Sequence, residues 1–188
     1  MNRDTGTKEE LISAGIHELQ EKGFNDFSIR RVAAACGISC AAPYRHFKNK
    51  DEFVLAIFAY INRKWYLMQN MILSEYNNAR ERLTEMSVAY VRFLIENPDY
   101  FTILITRSEA FDGEIKYKKN GVSTCVQGLI EQYCNEVDMS PADRKRKTYV
   151  VRSLIVGAAY MIRNGELEES EATYDMIRAS ISREFEIK

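Results

Sequence analysis

Apolar residues along this chain recur every three or four positions rather than in alternation, which is the spacing of amphipathic helices. The first apolar stripe follows a helix-start pattern at residues 7–10 and ends at Gly23. It consists of Leu11, Ile12, Gly15, Ile16 and Leu19. No hairpin signal of strands separated by a tight turn stands out. The pattern therefore predicts an all-α fold with about nine helices.

Residues that favour helix ends divide the rest of the chain into segments. Ser28, Ser39, Asn49 and Ser170 are residue types that cap helix starts, and Ser140 is followed by a proline suited to the first helical position. Glycines or an Asn-Pro step follow several of the predicted helix ends. The helices predicted in this way cover residues 7–23, 28–35, 39–47, 49–76, 83–96, 100–107, 122–133, 141–164 and 170–185.

Charge is distributed unevenly although the 188-residue chain has a net charge of only −1. Residues 28–50 contain no acid, and their cations are Arg30, Arg31, Arg45, Lys48 and Lys50. An acid-free basic segment in a neutral chain is typical of a nucleic-acid contact or of a solvated surface. Charge alone leaves both interpretations open.

The remaining composition argues against several classes of protein. The 46% of hydrophobic residues can supply a core, but no run of apolar residues is long enough to span a membrane, so we expect a cytoplasmic protein with no membrane partner. Cys36 and Cys40 have too few neighbouring ligands for a zinc site, and we expect no metal or cofactor. With only His17 and His46 as imidazoles and no phosphate-binding loop, we expect no enzyme.

Residues 28–47 have the layout of a helix-turn-helix. Two short helices are joined by a three-residue turn, and the second contains no acid. In DNA-binding proteins this arrangement lays the second helix in the major groove while the first crosses the backbone. Ala33 permits close approach of the helices, and Gly37 permits the turn. A compact helical hairpin without DNA has the same requirements.

The first third of the chain resembles the N-terminal domain of TetR-family transcriptional regulators. The resemblance runs from Leu11 to Val54 without a gap. Its most specific parts are EKGF at 21–24, SIRRVA at 28–33, GIS at 37–39 and YRHFKNKDE at 44–52. The rest of the chain matches the family in size and helix pattern. The resemblance implies a helix-turn-helix domain over residues 1–50 and a helical effector-binding and dimerisation domain over residues 51–188.

The family also implies roles for individual residues. Side chains expected near phosphates are those of Ser28, Tyr44, His46 and Lys50, and those expected to face base edges are Cys40, Ala41, Ala42 and Arg45. Arg30 and Pro43 complete the predicted DNA-facing set. Arginine suits guanine, and alanine methyls suit the thymine methyl. Core packing is an alternative role for the Tyr44 ring and the His46 imidazole.

Two residues depart from the family pattern. Pro43 stands where leucine or isoleucine is usual, and proline there removes an early backbone hydrogen bond of the third helix. If that helix begins after Pro43, the two alanines lie in the turn and Arg45 becomes the main base-reading residue. Glu18 stands at a position that is usually apolar, which affects the packing of the first helix.

The larger domain is expected to bind an effector and a second chain. The resemblance implies that the last two helices form a homodimer, although a single domain can also bury their apolar face internally. Predicted dimer residues are Val151, Leu154, Ile155, Ala158, Ile162, Ile177 and Ile181. Predicted residues of a pocket for an unknown small molecule are Trp65, Met68, Phe93, Tyr100, Phe101 and Tyr160, which plain core packing also explains.

These observations together predict a dimeric regulator that binds a palindromic operator in double-stranded DNA. In this family such a protein is usually a repressor that an effector releases from DNA. Two alternatives remain. One is a thiol-sensing regulator in which oxidation of Cys40 weakens DNA binding, and the other is a helical regulator without a ligand.

Overall fold

The computed structural model of the chain describes residues 3–105 and 113–186. Over these ranges every regular element is helical, which confirms the predicted all-α fold. The α-helices are α1 (Arg3–Asp26), α2 (Ile29–Ala35), α3 (Lys50–Glu75), α4 (Ala79–Glu96), α5 (Pro98–Ile105), α6 (Gly113–Glu136), α7 (Pro141–Arg163) and α8 (Glu171–Glu184), and a short 3-10 helix spans Ala42–Arg45. None of the described helices combines the length and the hydropathy needed to cross a membrane.

Four of the predicted helix starts are made by the expected capping side chains. The Ser28 hydroxyl accepts a hydrogen bond from the backbone N–H of Arg31, and the Ser140 and Ser170 hydroxyls cap α7 and α8 in the same way. At α3 the Asn49 side chain accepts from Glu52 N–H at 2.8 Å, and the Glu52 carboxylate accepts from Lys48 N–H at 2.8 Å. These reciprocal bonds satisfy N–H groups that a helix start otherwise leaves unpaired.

Several helices differ from the prediction, and α4 and α5 begin at Ala79 and Pro98, ahead of the predicted residues 83 and 100. α1 begins at Arg3, earlier than predicted, and its backbone leaves helical geometry at Gly23, where φ is 69°. α6 begins at Gly113, ahead of the predicted residue 122. The third predicted helix is much shorter than residues 39–47, because only Ala42–Arg45 is helical. The predicted end of the helix at residue 107 lies outside the described residues.

The chain divides into two compact units, and their boundaries fall within α3, between α4 and α5, and within α6. The first unit contains residues up to 64 together with 98–122, and the second contains 65–97 and 123–188. The predicted boundary after residue 50 therefore falls earlier in the same helix. Inside the first unit, α1 packs against α2 and α5. The described core of the helix-turn-helix region includes Leu11, Ile16, Phe27, Val32, Phe47, Phe53 and Ile57.

The second unit is organised around α4, which packs against α7 and α8. Leu83, Met86 and Leu94 on α4 are fully buried. Each fully buried side chain of this size contributes about 1.5–3 kcal/mol of hydrophobic stabilisation. Polar contacts tie α8 to the same helix, because the Arg178 guanidinium donates to the Glu85 carboxylate at 2.7 Å.

Candidate nucleic-acid interface

The turn between α2 and the 3-10 helix is closed by backbone hydrogen bonds. Ile38 N–H donates to the Ala33 carbonyl at 3.0 Å, and Gly37 N–H donates to the Ala34 carbonyl at 3.1 Å. This pair of bonds is the Schellman motif, which requires a left-handed residue after the helix. Gly37 supplies it with φ of 67°. The predicted role of Gly37 in ending α2 is confirmed.

The predicted helix over residues 39–47 is wrong in both length and type. Only Ala42–Arg45 is helical, and it forms a 3-10 helix without a side-chain cap at its start. Because Pro43 has no N–H, the Ser39 carbonyl cannot accept the hydrogen bond of an α-helix from residue 43. It accepts instead from Ala42 N–H at 3.0 Å. Ser39 therefore does not cap a helix, and the second element of the motif is a single tight turn.

A small aromatic core supports this turn from below. Phe47 is 2% exposed and stacks on Phe53 with ring centroids 4.1 Å apart. Phe27 contacts the same Phe53 ring edge-on at 5.5 Å. Gly15 lies so close to this cluster that a Cβ atom there would approach the Phe53 ring to 2.9 Å. The turn is thus anchored, through Phe47, in a closely packed aromatic core.

The predicted DNA-facing residues divide into three groups by exposure. Pro43 is buried, whereas Ser28, Ala42, His46 and Lys50 are half-buried. Those exposed to solvent are Arg30, Cys40, Ala41, Tyr44 and Arg45. Tyr44 has 52% of its surface exposed, so its ring is not a core residue of the chain alone. The exposed group lies on α2, on the turn and on the 3-10 helix.

Glu18 organises the start of α2, a role that the sequence analysis missed. Its carboxylate accepts from Ser28 N–H at 3.2 Å and from Arg31 Nε at 2.8 Å. Arg31 also donates to the Asp26 carbonyl. The hydrogen bond to Glu18 raises the pKa of the Arg31 guanidinium. Arg31 is therefore bound within the domain. Glu18 stands where the family usually has an apolar residue, and its carboxylate serves here to hold the start of α2.

Lys50 is likewise engaged within the domain. Its ammonium donates to the Asn25 carbonyl at 3.0 Å and lies 4.5 Å from the centroid of the Phe24 ring. Both partners belong to the segment that follows Gly23, so Lys50 fixes the end of α1 to the start of α3. Besides Arg31, which contacts Glu18, the exposed cations of the acid-free segment are Arg30, Arg45 and Lys48.

The two cysteines of this region lie in different surroundings. No group of three or more potential metal ligands occurs among the side chains that the structure describes. The Cys36 thiol lies 3.8 Å from the Glu10 carbonyl, and burial raises its pKa. Cys40 is exposed. A raised pKa keeps the Cys36 thiol protonated and therefore poorly reactive.

The predicted effector residues lie in different surroundings. Trp65 and Phe93 are buried in one cluster with Tyr90, with Trp65 centroids 5.1 Å from Tyr90 and 5.2 Å from Phe93. Burial raises the pKa of Tyr90. Tyr100 belongs to the first unit and is buried there, Met68 and Phe101 are half-buried, and Tyr160 is 53% exposed. The structure therefore brings Trp65 and Phe93 together and leaves Tyr160 on the surface.

The predicted dimer residues lie mainly in the core of the second unit. Leu154 is half-buried, and the buried residues are Val151, Ile155, Ala158, Ile162, Ile177 and Ile181. The buried side chains pack within the chain itself, which was the alternative to a dimer contact. The apolar residues that α7 and α8 expose are Tyr149, Val156, Tyr160, Met161 and Met176.

A three-helix base that presents an acid-free, exposed helix-turn-helix defines a DNA-binding transcriptional regulator. Comparison with known proteins agrees with this class. Residues 11–57 match the sequence model of the family described as "Bacterial regulatory proteins, tetR family". Its N-terminal domain is therefore of the kind found in the tetR family of bacterial regulatory proteins.

Relatives and solved structures extend the similarity over the whole chain. The nucleoid occlusion factor SlmA of Vibrio vulnificus is 23% identical over 90% of this chain and 84% of its own length. The fatty acid metabolism regulator protein of Bacillus subtilis is 19% identical over 89% of this chain and 82% of its own length.

Among solved structures, a TetR-family regulator from Marinobacter aquaeolei aligns over 97% of this chain and 96% of its own, with a TM-score of 0.80 and 18% identity. The regulator FadR from Bacillus subtilis, solved in complex with stearoyl-CoA, aligns over 93% of this chain and 97% of its own, with a TM-score of 0.67 and 14% identity. At these identities the solved structures establish the fold alone.

Proposed function

We propose that this chain is a homodimeric repressor that binds a short palindromic operator in the cytoplasm and is released by a small-molecule effector. The observation that carries the proposal is the exposure of Arg30, Tyr44, Arg45 and Lys48 on an acid-free helix-turn-helix. Cationic and phenolic donors on one surface suit the phosphates and base edges of a duplex. Two copies of one short element are needed to read a palindrome with useful affinity.

Within this surface we assign different tasks to different side chains. Arg45, exposed on the 3-10 helix, is the main reader of base edges, with guanine as its preferred partner. Ser28, Tyr44 and His46 contact phosphates, and Arg30 and Lys48 add electrostatic attraction. Ala41 and Ala42 keep the turn close to the groove. Lys50, already bound to the Asn25 carbonyl, acts by holding the domain together and reaches a phosphate only by exchanging that partner.

Selection from random duplexes tests this assignment. The wild-type protein is expected to enrich an inverted repeat, with binding that weakens steeply as salt rises. Arg45→Ala is expected to relax sequence preference at one position of each half-site. Lys48→Ala is expected to weaken binding to all sequences about equally and to reduce the salt slope by about one. Lys22→Ala, an exposed cation outside the motif, is the matched control.

The outcome that contradicts the assignment is specific. Enrichment of no inverted repeat at low salt would remove operator binding from the proposal. An Arg45→Ala protein with unchanged sequence preference would move base reading to another residue while leaving operator binding intact.

The dimer in this proposal is supported by the exposed apolar side chains of α7 and α8. Tyr149 is 72% exposed and Val156 is 37% exposed, although both lie on a helix whose opposite face is in the core. Val156→Asp is expected to convert the dimer to monomer in sedimentation velocity, because it places a charge in an apolar contact. Leu67→Asp is the control, since Leu67 is exposed on α3. Equal dissociation by both variants would show that the effect is not specific to α7.

The effector in this proposal is an apolar molecule that carries a hydrogen-bond acceptor. Within the ranges that the structure describes, the indole N–H of Trp65 and the side-chain amide N–H2 of Gln69 are buried without a hydrogen-bond partner, one helical turn apart on α3. The Trp65 ring lies beside those of Tyr90 and Phe93. A buried donor without a partner is costly, so a ligand carbonyl that reaches it gains a full hydrogen bond. A long-chain acyl thioester has this chemistry, and a related fold has been solved in complex with stearoyl-CoA.

Titration with stearoyl-CoA and with free stearate tests the effector class. The thioester is expected to raise the melting temperature and to release operator DNA. Trp65→Phe is expected to weaken both effects because it keeps the ring contacts and removes the indole N–H. Tyr66→Phe on the exposed side of α3 is the control. Release of DNA without dependence on Trp65 would place the effector elsewhere.

A second candidate function is favoured by the exposure of Cys40 on the DNA-facing surface. Oxidation of this thiol to a sulfenic acid would add a polar group where the turn approaches the duplex. Mild peroxide is then expected to weaken operator binding by wild-type protein and to leave Cys40→Ser unaffected. Equal loss in both proteins would exclude Cys40 as the sensor. A regulator that responds to neither peroxide nor acyl thioester would act without a ligand.

A further inference from the structure

The α7–α8 hairpin has opposite charges at its two ends. Residues 141–152 contain one acid, Asp143, and the cations Arg144, Lys145, Arg146, Lys147 and Arg152. Residues 164–175 contain no cation, and their acids are Glu166, Glu168, Glu169, Glu171 and Asp175. The first half of α7 is therefore basic, and the segment that leads into α8 is acidic.

Part of this charge is already used inside the chain. Arg144 donates to Asn135, and Arg146 donates to Glu184 at 3.4 Å. On the acidic side Glu171 accepts from Arg92, and Asp175 accepts from Arg178. Two of these contacts join the hairpin to α6 and α4, and the other two lie within the hairpin.

Lys147 is buried, but four other charges of the two segments are exposed and available to a partner. Lys145 and Arg152 are exposed on α7, on either side of the exposed Tyr149. Glu166 and Glu168 are exposed in the loop before α8. Within the described part of the chain, none of these four charged side chains takes part in a salt bridge. They flank the exposed apolar stripe of Tyr149, Val156 and Tyr160 without neutralising one another.

Two-fold symmetry would bring these opposite charges together in a dimer. α7 and α8 pack against each other and are joined by residues 164–170, so they run in opposite directions. A two-fold axis perpendicular to α7 makes the partner's α7 antiparallel to it and the partner's α8 parallel to it. The basic first half of α7 then lies beside the acidic entry to the partner's α8, and the same contact occurs a second time. A dimer with parallel α7 helices would instead place like charges together.

We propose that the charge polarity of this hairpin selects a second copy of this chain, in antiparallel register, over other partners. The proposal rests on the proposed dimer and adds the determinant of its specificity. The apolar stripe supplies contact area but no direction, because tyrosine and valine pack against many surfaces. The relative orientation of the two chains is determined by charge pairs, in which Lys145 and Arg152 of one copy face Glu166 and Glu168 of the other. Complementary charges favour this register and like charges disfavour the others.

A charge exchange between copies tests the proposal. The basic-end variant carries Lys145→Glu and Arg152→Glu, and the acidic-end variant carries Glu166→Lys and Glu168→Lys. Each is expected to self-associate about 10-fold more weakly than wild type at low salt, with the difference shrinking as salt screens the charges. An equimolar mixture of the two is expected to form heterodimers with near wild-type affinity. A chain with all four substitutions is expected to form homodimers and to exclude wild type.

Sedimentation velocity and native mass spectrometry of differently tagged chains measure these outcomes, with far-ultraviolet circular dichroism to verify folding. Wild-type dimers that are unaffected by either variant would overturn charge selection and leave the proposed dimer standing. Charge selection would also be overturned if each variant is monomeric and an equimolar mixture of the two forms no heterodimers. A wild-type chain that is monomeric at all concentrations, in the presence and absence of DNA, would overturn the dimer itself and the selection with it.

Discussion

Residues outside the proposed DNA-binding surface hold in place the elements that form it. Glu18 holds the start of α2 through Ser28 and Arg31, and Gly15 lets α1 approach the Phe53 ring. Neither residue carries the chemistry of recognition. A substitution at either position alters the placement of Arg45 and Tyr44 through the packing beneath them.

Gly15→Ala is expected to lower the free energy of unfolding by about 1–3 kcal/mol, because its methyl group would overlap the Phe53 ring and force the core to shift. A Cβ atom at this position would lie 2.9 Å from Phe53 Cε2. Gly128→Ala on α6 is the matched control. A Cβ there meets no atom within 4 Å, and alanine is expected to stabilise that helix by about 0.5–1 kcal/mol. Urea denaturation compares the two, and equal stabilisation by both would refute the close contact.

Helix starts in this chain could be predicted from sequence because each depends on residues close together in the chain. Ser28, Asn49, Ser140 and Ser170 bond to N–H groups three positions further on. The clamp of Glu18 on Ser28 spans ten positions, and no local pattern indicates it. The sequence alone could not show whether the apolar face of α7 packs against α4 or against a second chain, because both require the same row of apolar residues along the helix.

At the scale of single elements, the 3-10 helix is the most distinctive part of the molecule. Pro43 is the buried residue of this helix, and His46 and Phe47 N–H both donate to the Pro43 carbonyl at 3.0 Å. A 3-10 helix is wound more tightly than an α-helix and is common only in short pieces. This element is a 3-10 helix because Pro43 lacks a backbone N–H. The family usually has leucine or isoleucine at this position, so the family pattern does not predict a 3-10 helix.

Pro43→Ala is expected to extend the 3-10 helix into α-helix, because residue 43 regains an N–H that can bond to the Ser39 carbonyl. Cα chemical shifts of residues 39–47 are expected to move toward helical values, and operator affinity is expected to change with them. Pro141→Ala is the control, since proline at the first helical position removes no helical hydrogen bond. Unchanged shifts over residues 39–47 would assign the 3-10 geometry to the surrounding core instead of to proline.

The contact between α4 and α8 is expected to weaken at alkaline pH. Burial raises the pKa of Tyr174 to about 12 from an ordinary value near 10.0. The folded protein therefore holds this proton more tightly than the unfolded chain does. Its contribution to stability is complete below about pH 10 and is lost as the pH rises toward 12.

Urea midpoints at pH 8, 10 and 11.5 measure this loss, and Tyr174→Phe is expected to show a smaller decrease than wild type over the same interval. The phenylalanine ring keeps the stacking of the Arg92 guanidinium, which lies 3.7 Å from the Tyr174 centroid, and lacks the ionisable hydroxyl. Parallel loss in both proteins would assign the alkaline transition to other tyrosines.

At the scale of the whole molecule, dimerisation and DNA binding are coupled in the proposed function. Each 3-10 helix carries few base-reading side chains, so one domain alone binds weakly. Joining two domains turns the second contact into an intramolecular one with a high effective concentration. Affinity for the operator is therefore a property of the pair.

A palindromic duplex is expected to bind two chains in native mass spectrometry, and a duplex with one half-site is expected to bind about 100-fold more weakly. Val156→Asp is expected to reduce the difference between the two duplexes, because monomers gain nothing from the second half-site. Equal affinity of the wild-type protein for both duplexes would mean that one domain is sufficient.

The single turn formed by Ala42–Arg45 also limits how much information the protein can take from a genome. If each copy specifies about three or four base pairs, two copies specify six to eight, and such a sequence occurs by chance roughly once per 10⁴ base pairs. Genomes offer about 10⁶–10⁹ competing sites. Base contacts alone would leave the protein distributed over many sequences. We expect the remaining discrimination between operator and other DNA to come from the bendability and groove width of the operator. Base pairs that the protein does not contact would then contribute to its sequence specificity.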